Sequence, residues 1–186
     1  YLHTHYTAPR MVFAAAGKVD HAEIVALVEA HFSNLPTCTG SPSSPSVYRG
    51  GEAREEKALE QAHLVMGFDG VGYHDPDYGG LFGVYAGTGE DGLAELMPVL
   101  CDELGKATAD ITEKELARAK AQLRAGIVMS LESTHARAEQ LARQVGIYNA
   151  PITIEELQRR IEAVTAADVM RVIARILSSA PTIAAI

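Results

Sequence analysis

The stretches Ala62-His63-Leu64-Val65-Met66-Gly67-Phe68 and Gly80-Leu81-Phe82-Gly83-Val84-Tyr85-Ala86 decide the fold of this chain. Both are apolar runs of the length that β-strands usually have, and turn-forming residues bound them. Only a connection rich in Gly and Asp, residues 69–79, separates the two. Parallel strands need a longer crossover than this, so the sequence predicts an antiparallel pair.

Three more strands are expected around this pair. A charged strand is predicted at about residues 52–59, and a last strand at residues 182–186 closes the chain. Near the N-terminus, residues 10–16 form an apolar, strand-like run that ends at Gly17. Residues 33–46 contain several Pro and Ser residues, which predicts a polar loop.

Helices are predicted for residues 21–32 and for most of residues 91–178, where apolar side chains recur at helical spacing. Their starts carry capping patterns, in which Ser, Thr or Asp precedes the helix and an acid often follows three residues later. The capping residues are Asp20 with Glu23, Thr112 with Glu115, Ser133, Thr153 with Glu156, and Thr165 with Asp168. Strands followed by helices indicate an α+β fold, a mostly antiparallel sheet with helices packed on one face.

Length and charge narrow the class of protein. With 186 residues, the chain is expected to form a single domain over residues 1–186. Its net charge of −8 disfavours a nucleic-acid partner, and no apolar run is long enough to span a membrane. Cys38 and Cys101 are isolated, and we expect no disulfide between them. The chain begins at Tyr1 without a leader, so we expect it to be a piece of a longer protein.

A glycine motif, Gly87-Thr88-Gly89-Glu90-Asp91-Gly92, follows a predicted strand and opens a predicted helix. This spacing occurs in dinucleotide-binding proteins. However, Glu90 and Asp91 would place negative charge where a pyrophosphate binds, and more helices follow instead of a parallel strand. The motif is therefore predicted to be a glycine-rich turn. A nucleotide-binding module is kept only as a weak alternative function.

Histidines are the other candidates for functional residues, here as ligands of a metal ion. His3 and His5 would project to one side of an extended segment, and His74-Asp75-Pro76-Asp77 could add mixed ligands for a metal. The remaining histidines, His21, His31, His63 and His135, lack the close pairing on one element that marks a zinc site. We therefore predict no metal ligands in this chain, and Asp75-Pro76-Asp77 is interpreted as a turn.

No catalytic group is predicted either. The chain has no G-x-S-x-G elbow, no P-loop and no cysteine in an activating setting. Acidic pairs such as Glu55 and Glu56 fit a solvated surface. The arginines of the helices lie beside acids, which favours surface ion pairs. These arginines are Arg118, Arg124, Arg137, Arg143, Arg159 and Arg160. No catalytic, cofactor-binding or metal-binding residue is therefore assigned.

Five stretches, in the same order, resemble the pitrilysin/insulinase/mitochondrial processing peptidase family of zinc metallopeptidases. They are residues 5–17, residues 30–36, residues 60–68, residues 116–133 and residues 161–169. Together they extend over most of the chain and resemble the C-terminal subdomain of one family unit. The resemblance implies the metallohydrolase fold of the processing peptidases, in which homologous units enclose a peptide.

In that family, one unit binds zinc through H-x-x-E-H and a later Glu, and the Glu inside the motif acts on the attacking water. This chain contains no H-x-x-E-H. The resemblance therefore implies a component of a zinc peptidase that forms part of the fold and of the chamber wall. It also implies a peptide substrate and a second homologous unit, in the same chain, a homodimer or a heterodimer. The alternative is a non-catalytic structural or partner subunit of the same family.

Zinc would then belong to the complete enzyme, and this chain itself would bind none. The residue composition suggests a bacterial source, which would place the protein in the cytoplasm or periplasm. The sequence departs from the family after Tyr78, where a helix, a glycine-rich loop and an Arg…Tyr segment usually follow. Here Tyr78 is followed directly by Gly79 and a strand. We expect a missing segment between these two residues.

Overall fold

The computed structural model describes residues 5–38, 47–57, 60–72, Asp75, Asp77 and 80–186. It contains six α-helices and four strands within that part of the chain. The helices are α1 (His21–Phe32), α2 (Leu93–Lys106), α3 (Glu113–Ser130), α4 (Thr134–Tyr148), α5 (Ile154–Ala163) and α6 (Ala166–Leu177). The strands are β1 (Gly51–Arg54), β2 (Ala62–Val71), β3 (Gly80–Thr88) and β4 (Thr182–Ala185). The predicted α+β class is confirmed.

The four strands form one sheet in the order β1-β4-β2-β3. β2 pairs antiparallel with β3 and with β4, whereas β1 and β4 are parallel. The predicted pairing of the two apolar runs is therefore confirmed, as is a mostly antiparallel sheet. Val65 lies opposite Tyr85 on one side and opposite Ala184 on the other.

One face of the sheet forms the hydrophobic core. Met66, Phe68 and Val71 of β2 are buried, and Ile176 of α6 is buried against them. Partly buried side chains of β3, β4, α2 and α6 complete this cluster: Phe82, Ile183, Met97, Leu100, Leu104, Val172 and Leu177. The helices that contribute to the core therefore pack on a single face, as expected for alternating side chains of a half-buried sheet.

Contacts divide the chain into two compact units. One consists of Tyr1–Ser46 and Ala121–Arg159, and the other of Val47–Lys120 and Arg160–Ile186. All four strands belong to the second unit. The assignment of residues 1–186 to a single domain stays a prediction. Of the predicted loop, residues 39–46 lie outside the described part of the chain.

The predicted strand at residues 10–16 is wrong. Ala8–Arg10 forms a short 3-10 turn, and residues 11–16 have no strand partner among the described residues. This segment packs by side chains instead, because the ring centroids of Phe13 and Phe32 are 4.6 Å apart. A groove of about 330 Å³ lies between the segment and α1, lined mainly by apolar residues such as Val25 and Val28. An apolar sequence alone does not make a strand, because the backbone also needs a partner.

The helix starts follow the capping patterns closely. The Asp20 carboxylate accepts hydrogen bonds from the N–H groups of Ala22 and Glu23 at the start of α1. Thr165 and Asp168 form a reciprocal capping box at the start of α6. No helix among the described residues is long and apolar enough to cross a membrane.

The glycine motif is a strand-to-helix turn, as predicted. Gly87 and Thr88 end β3, a 3-10 turn covers Glu90–Gly92, and Gly92 caps the N-terminus of α2. The Gly92 N–H donates to the Gly89 carbonyl at 3.0 Å. A Cβ atom at Gly92 would collide with the Thr88 hydroxyl, so a larger residue at this position would force the Thr88 side chain to move.

Gly92→Ala is expected to lower the free energy of unfolding by about 1–2 kcal/mol, because the added methyl displaces Thr88 and Ala is a poor N-cap residue. The matched control is Gly89→Ala, since a Cβ at Gly89 meets nothing within 4 Å. We expect this control to change stability by about 0.5 kcal/mol or less. Urea unfolding of both variants measures the difference. Equal losses would contradict the proposed collision.

Candidate functional site

The second face of the sheet carries small and exposed side chains. Val65 is 45% exposed and Tyr85 is 64% exposed, whereas their neighbours Met66 and Phe68 on β2 are almost fully buried. We call this surface the open face. It consists of His63, Val65 and Gly67 on β2, Gly83, Tyr85 and Gly87 on β3, and Thr182 and Ala184 on β4. The pleat places these alternate residues on the side opposite the helices of the core.

A polar pair lies on the open face. His63 Nδ1 and the Tyr85 hydroxyl are 2.7 Å apart, and the two rings stack with centroids 5.9 Å apart. Gly87 lies directly opposite His63 in the ladder, and a Cβ atom there would be in ordinary contact with the Tyr85 hydroxyl and His63 Nδ1. The imidazole and the phenol offer both a donor and an acceptor to a bound polar group.

Tyr48 fixes the other end of this surface. Its hydroxyl lies 2.9 Å from the carbonyl oxygens of Gly67 and Ala180, and 3.0 Å from Thr182 Oγ1. These contacts join the segment before β1 to β2 and to the start of β4. Sequence reasoning missed this tyrosine, because its partners are 19 to 134 residues away in the chain.

An ion-pair cluster holds the connection between β2 and β3. Arg171 Nη1 and Nη2 donate to the two carboxylate oxygens of Asp77 at 2.5 and 2.8 Å. One turn further along α6, Arg175 Nη2 donates to Asp75 at 2.7 Å. Asp75 Oδ1 also accepts from the Asp77 N–H at 2.9 Å, which confirms the predicted turn. The cluster is structural, because every charged group in it is already paired.

These pairs shift the acidities of the two carboxyl groups. The Arg175 guanidinium lowers the pKa of Asp75 below its ordinary value of 3.8, mainly through their hydrogen bonds. The Arg171 guanidinium lowers the pKa of Asp77 in the same way. Each of these carboxylates stabilises the folded state at pH values above 3.8, the ordinary pKa of Asp. This stabilisation is lost as the pH falls from there through the lowered pKa of the folded protein.

We expect the double substitution Asp75→Asn and Asp77→Asn to reduce the loss of stability between pH 5 and pH 3, because the variant has no charge left to protonate at these sites. At pH 7 the variant is expected to be less stable than the wild type. Melting temperature against pH measures both effects, with Asp91→Asn as the control for an exposed carboxylate outside the cluster. If the melting temperature of the variant fell between pH 5 and pH 3 by as much as that of the wild type, a stabilising role of these two carboxylates would be contradicted.

The described residues do not fit a zinc site. No group of three or more His, Cys, Asp or Glu residues among them is placed to hold a metal ion. His3 and His74, two of the candidate ligands, lie outside the described residues. Asp75 and Asp77 are occupied by arginines, which compete with a cation for their oxygens. Surface ion pairs predicted for the helices do form, between Arg143 and Glu139 and between Arg159 and Glu156.

Comparison with known proteins agrees with the resemblance. A family model described as "Peptidase M16 inactive domain" matches residues 1–81. A zinc protease of Rickettsia bellii is 29% identical over 98% of this chain, and the beta subunit of the mouse mitochondrial-processing peptidase is 28% identical over all of it. The chain belongs to the M16 peptidase family. The predicted resemblance to zinc proteases and processing peptidases is therefore confirmed.

Solved structures support the same fold for this M16-family chain. A chain of complex III2 from Candida albicans superposes with a TM-score of 0.79 at 18% identity, over 91% of this chain. A protease from Helicobacter pylori superposes with a TM-score of 0.67 at 17% identity. The M16-family chain spans about half the length of its curated relatives, 54% of the Rickettsia protein and 49% of the mouse protein. Relatives are both bacterial and mitochondrial, so they do not establish the predicted bacterial source.

Proposed function

We propose that this chain is a non-catalytic domain of an M16-type zinc peptidase and forms one wall of its peptide chamber. The observation that carries the proposal is the open face. The core helices lie on one side of the sheet, and on the other side Val65 and Tyr85 are exposed among glycines. Neighbouring apolar and aromatic side chains that are exposed beside a polar pair support a role for this face in contacts with a bound peptide.

Catalysis would come from a different region in this proposal. The matching family model is described as an inactive domain, and the Rickettsia relative, named a zinc protease, is about twice as long as this chain. We place the zinc-binding H-x-x-E-H region in a preceding part of the protein or in a second homologous unit. Because the described residues do not fit a zinc site, no catalytic step is assigned to them.

The open face could bind an extended peptide in a simple way. Gly67 and Gly83 lie opposite each other and have no side chains, so a peptide backbone could approach the sheet closely there. His63 and Tyr85 would supply hydrogen bonds at one end, and Val65 would provide apolar contact in the middle. This surface would orient a peptide and shield it from water without touching the reacting atoms.

The connection between β2 and β3 is part of this proposal. Alignments with the Rickettsia and mouse relatives extend over 224 and 241 residues, more than the 186 residues of this chain. The relatives therefore contain residues with no counterpart here, and the family-model match ends at residue 81, near the start of β3. Both facts support a missing segment between Tyr78 and Gly79, which themselves lie outside the described residues. Peptide sequencing of the natural protein across Tyr78 and Gly79 tests this segment, and a peptide in which Gly79 directly follows Tyr78 would contradict it.

Val65→Lys tests the role of the open face in the assembled peptidase, meaning this chain together with the unit that carries H-x-x-E-H. We expect KM for a peptide to rise about fivefold, equivalent to about 1 kcal/mol, with kcat within about twofold of the wild type. The control is Val99→Lys, because Val99 of α2 is also exposed, at 59%. An unchanged KM for Val65→Lys would contradict a peptide-binding wall. Failure of any catalytic partner to yield activity would favour the structural-subunit alternative.

A further inference from the structure

We draw no further inference here: the strongest candidate, the apolar groove between residues 11–16 and α1 that Phe13, Val25 and Val28 line, carries none because nothing among the described residues shows what covers it.

Discussion

Phe68→Ala is expected to lower the free energy of unfolding by about 3–5 kcal/mol, which is typical for removing a buried aromatic side chain. Phe68 is 5% exposed and packs in the core of the sheet, where its ring centroid lies 6.0 Å from that of Phe82. The loss combines the transfer of apolar surface to water with the cavity that remains. Urea unfolding with the linear extrapolation method measures it.

Val65→Ala is the matched control, because Val65 lies on the same strand but on the open face. We expect this control to cost about 1 kcal/mol or less, since nearly half of its side chain is already exposed. The comparison tests which face of the sheet is buried. A loss at Val65 as large as that at Phe68 would mean that both faces are covered, and the open face would not exist.

Ile176→Ala is expected to cost about 2–5 kcal/mol, because Ile176 is 7% exposed and is the buried residue of α6 in the core cluster. Leu123→Ala is the control, since Leu123 lies on another helix and is 57% exposed. We expect that control to change stability by about 0.5 kcal/mol or less.

Combining Ile176→Ala with Phe68→Ala tests whether α6 packs against β2. Residues in one core cluster do not have additive effects, so we expect the double variant to depart from the sum of the single losses by about 0.5–3 kcal/mol. Strict additivity within about 0.3 kcal/mol would contradict direct packing between the two elements.

Local signals made much of the fold predictable from the sequence. The capping residues Asp20 and Thr165 mark helix starts correctly, because a cap depends on residues two or three positions away. The β2–β3 pairing was also predicted, because the two apolar runs follow one another in this sequence with only turn-forming residues between them. These elements depend on contacts between neighbours in the chain, which a single sequence shows directly.

Contacts between distant residues were not predictable. Residues 10–16 have the composition of a strand but no partner among the described residues, and composition carries no information about a partner. The pairing of Arg175 with Asp75 joins residues 100 positions apart, and no local pattern indicates that they lie together. Alternation in β2 could have shown that one face is apolar and the other mixed. Which helices would cover the apolar face depends on tertiary packing.

Zinc content and peptidase activity, measured on the purified chain alone and after addition of the unit that carries H-x-x-E-H, show whether this chain is non-catalytic. We expect the chain alone to contain no stoichiometric zinc and to cleave no peptide, and we expect activity only in the assembled peptidase. Stoichiometric zinc in the isolated chain, together with peptide cleavage that a chelator abolishes, would contradict the assignment of this chain as a non-catalytic wall of the chamber.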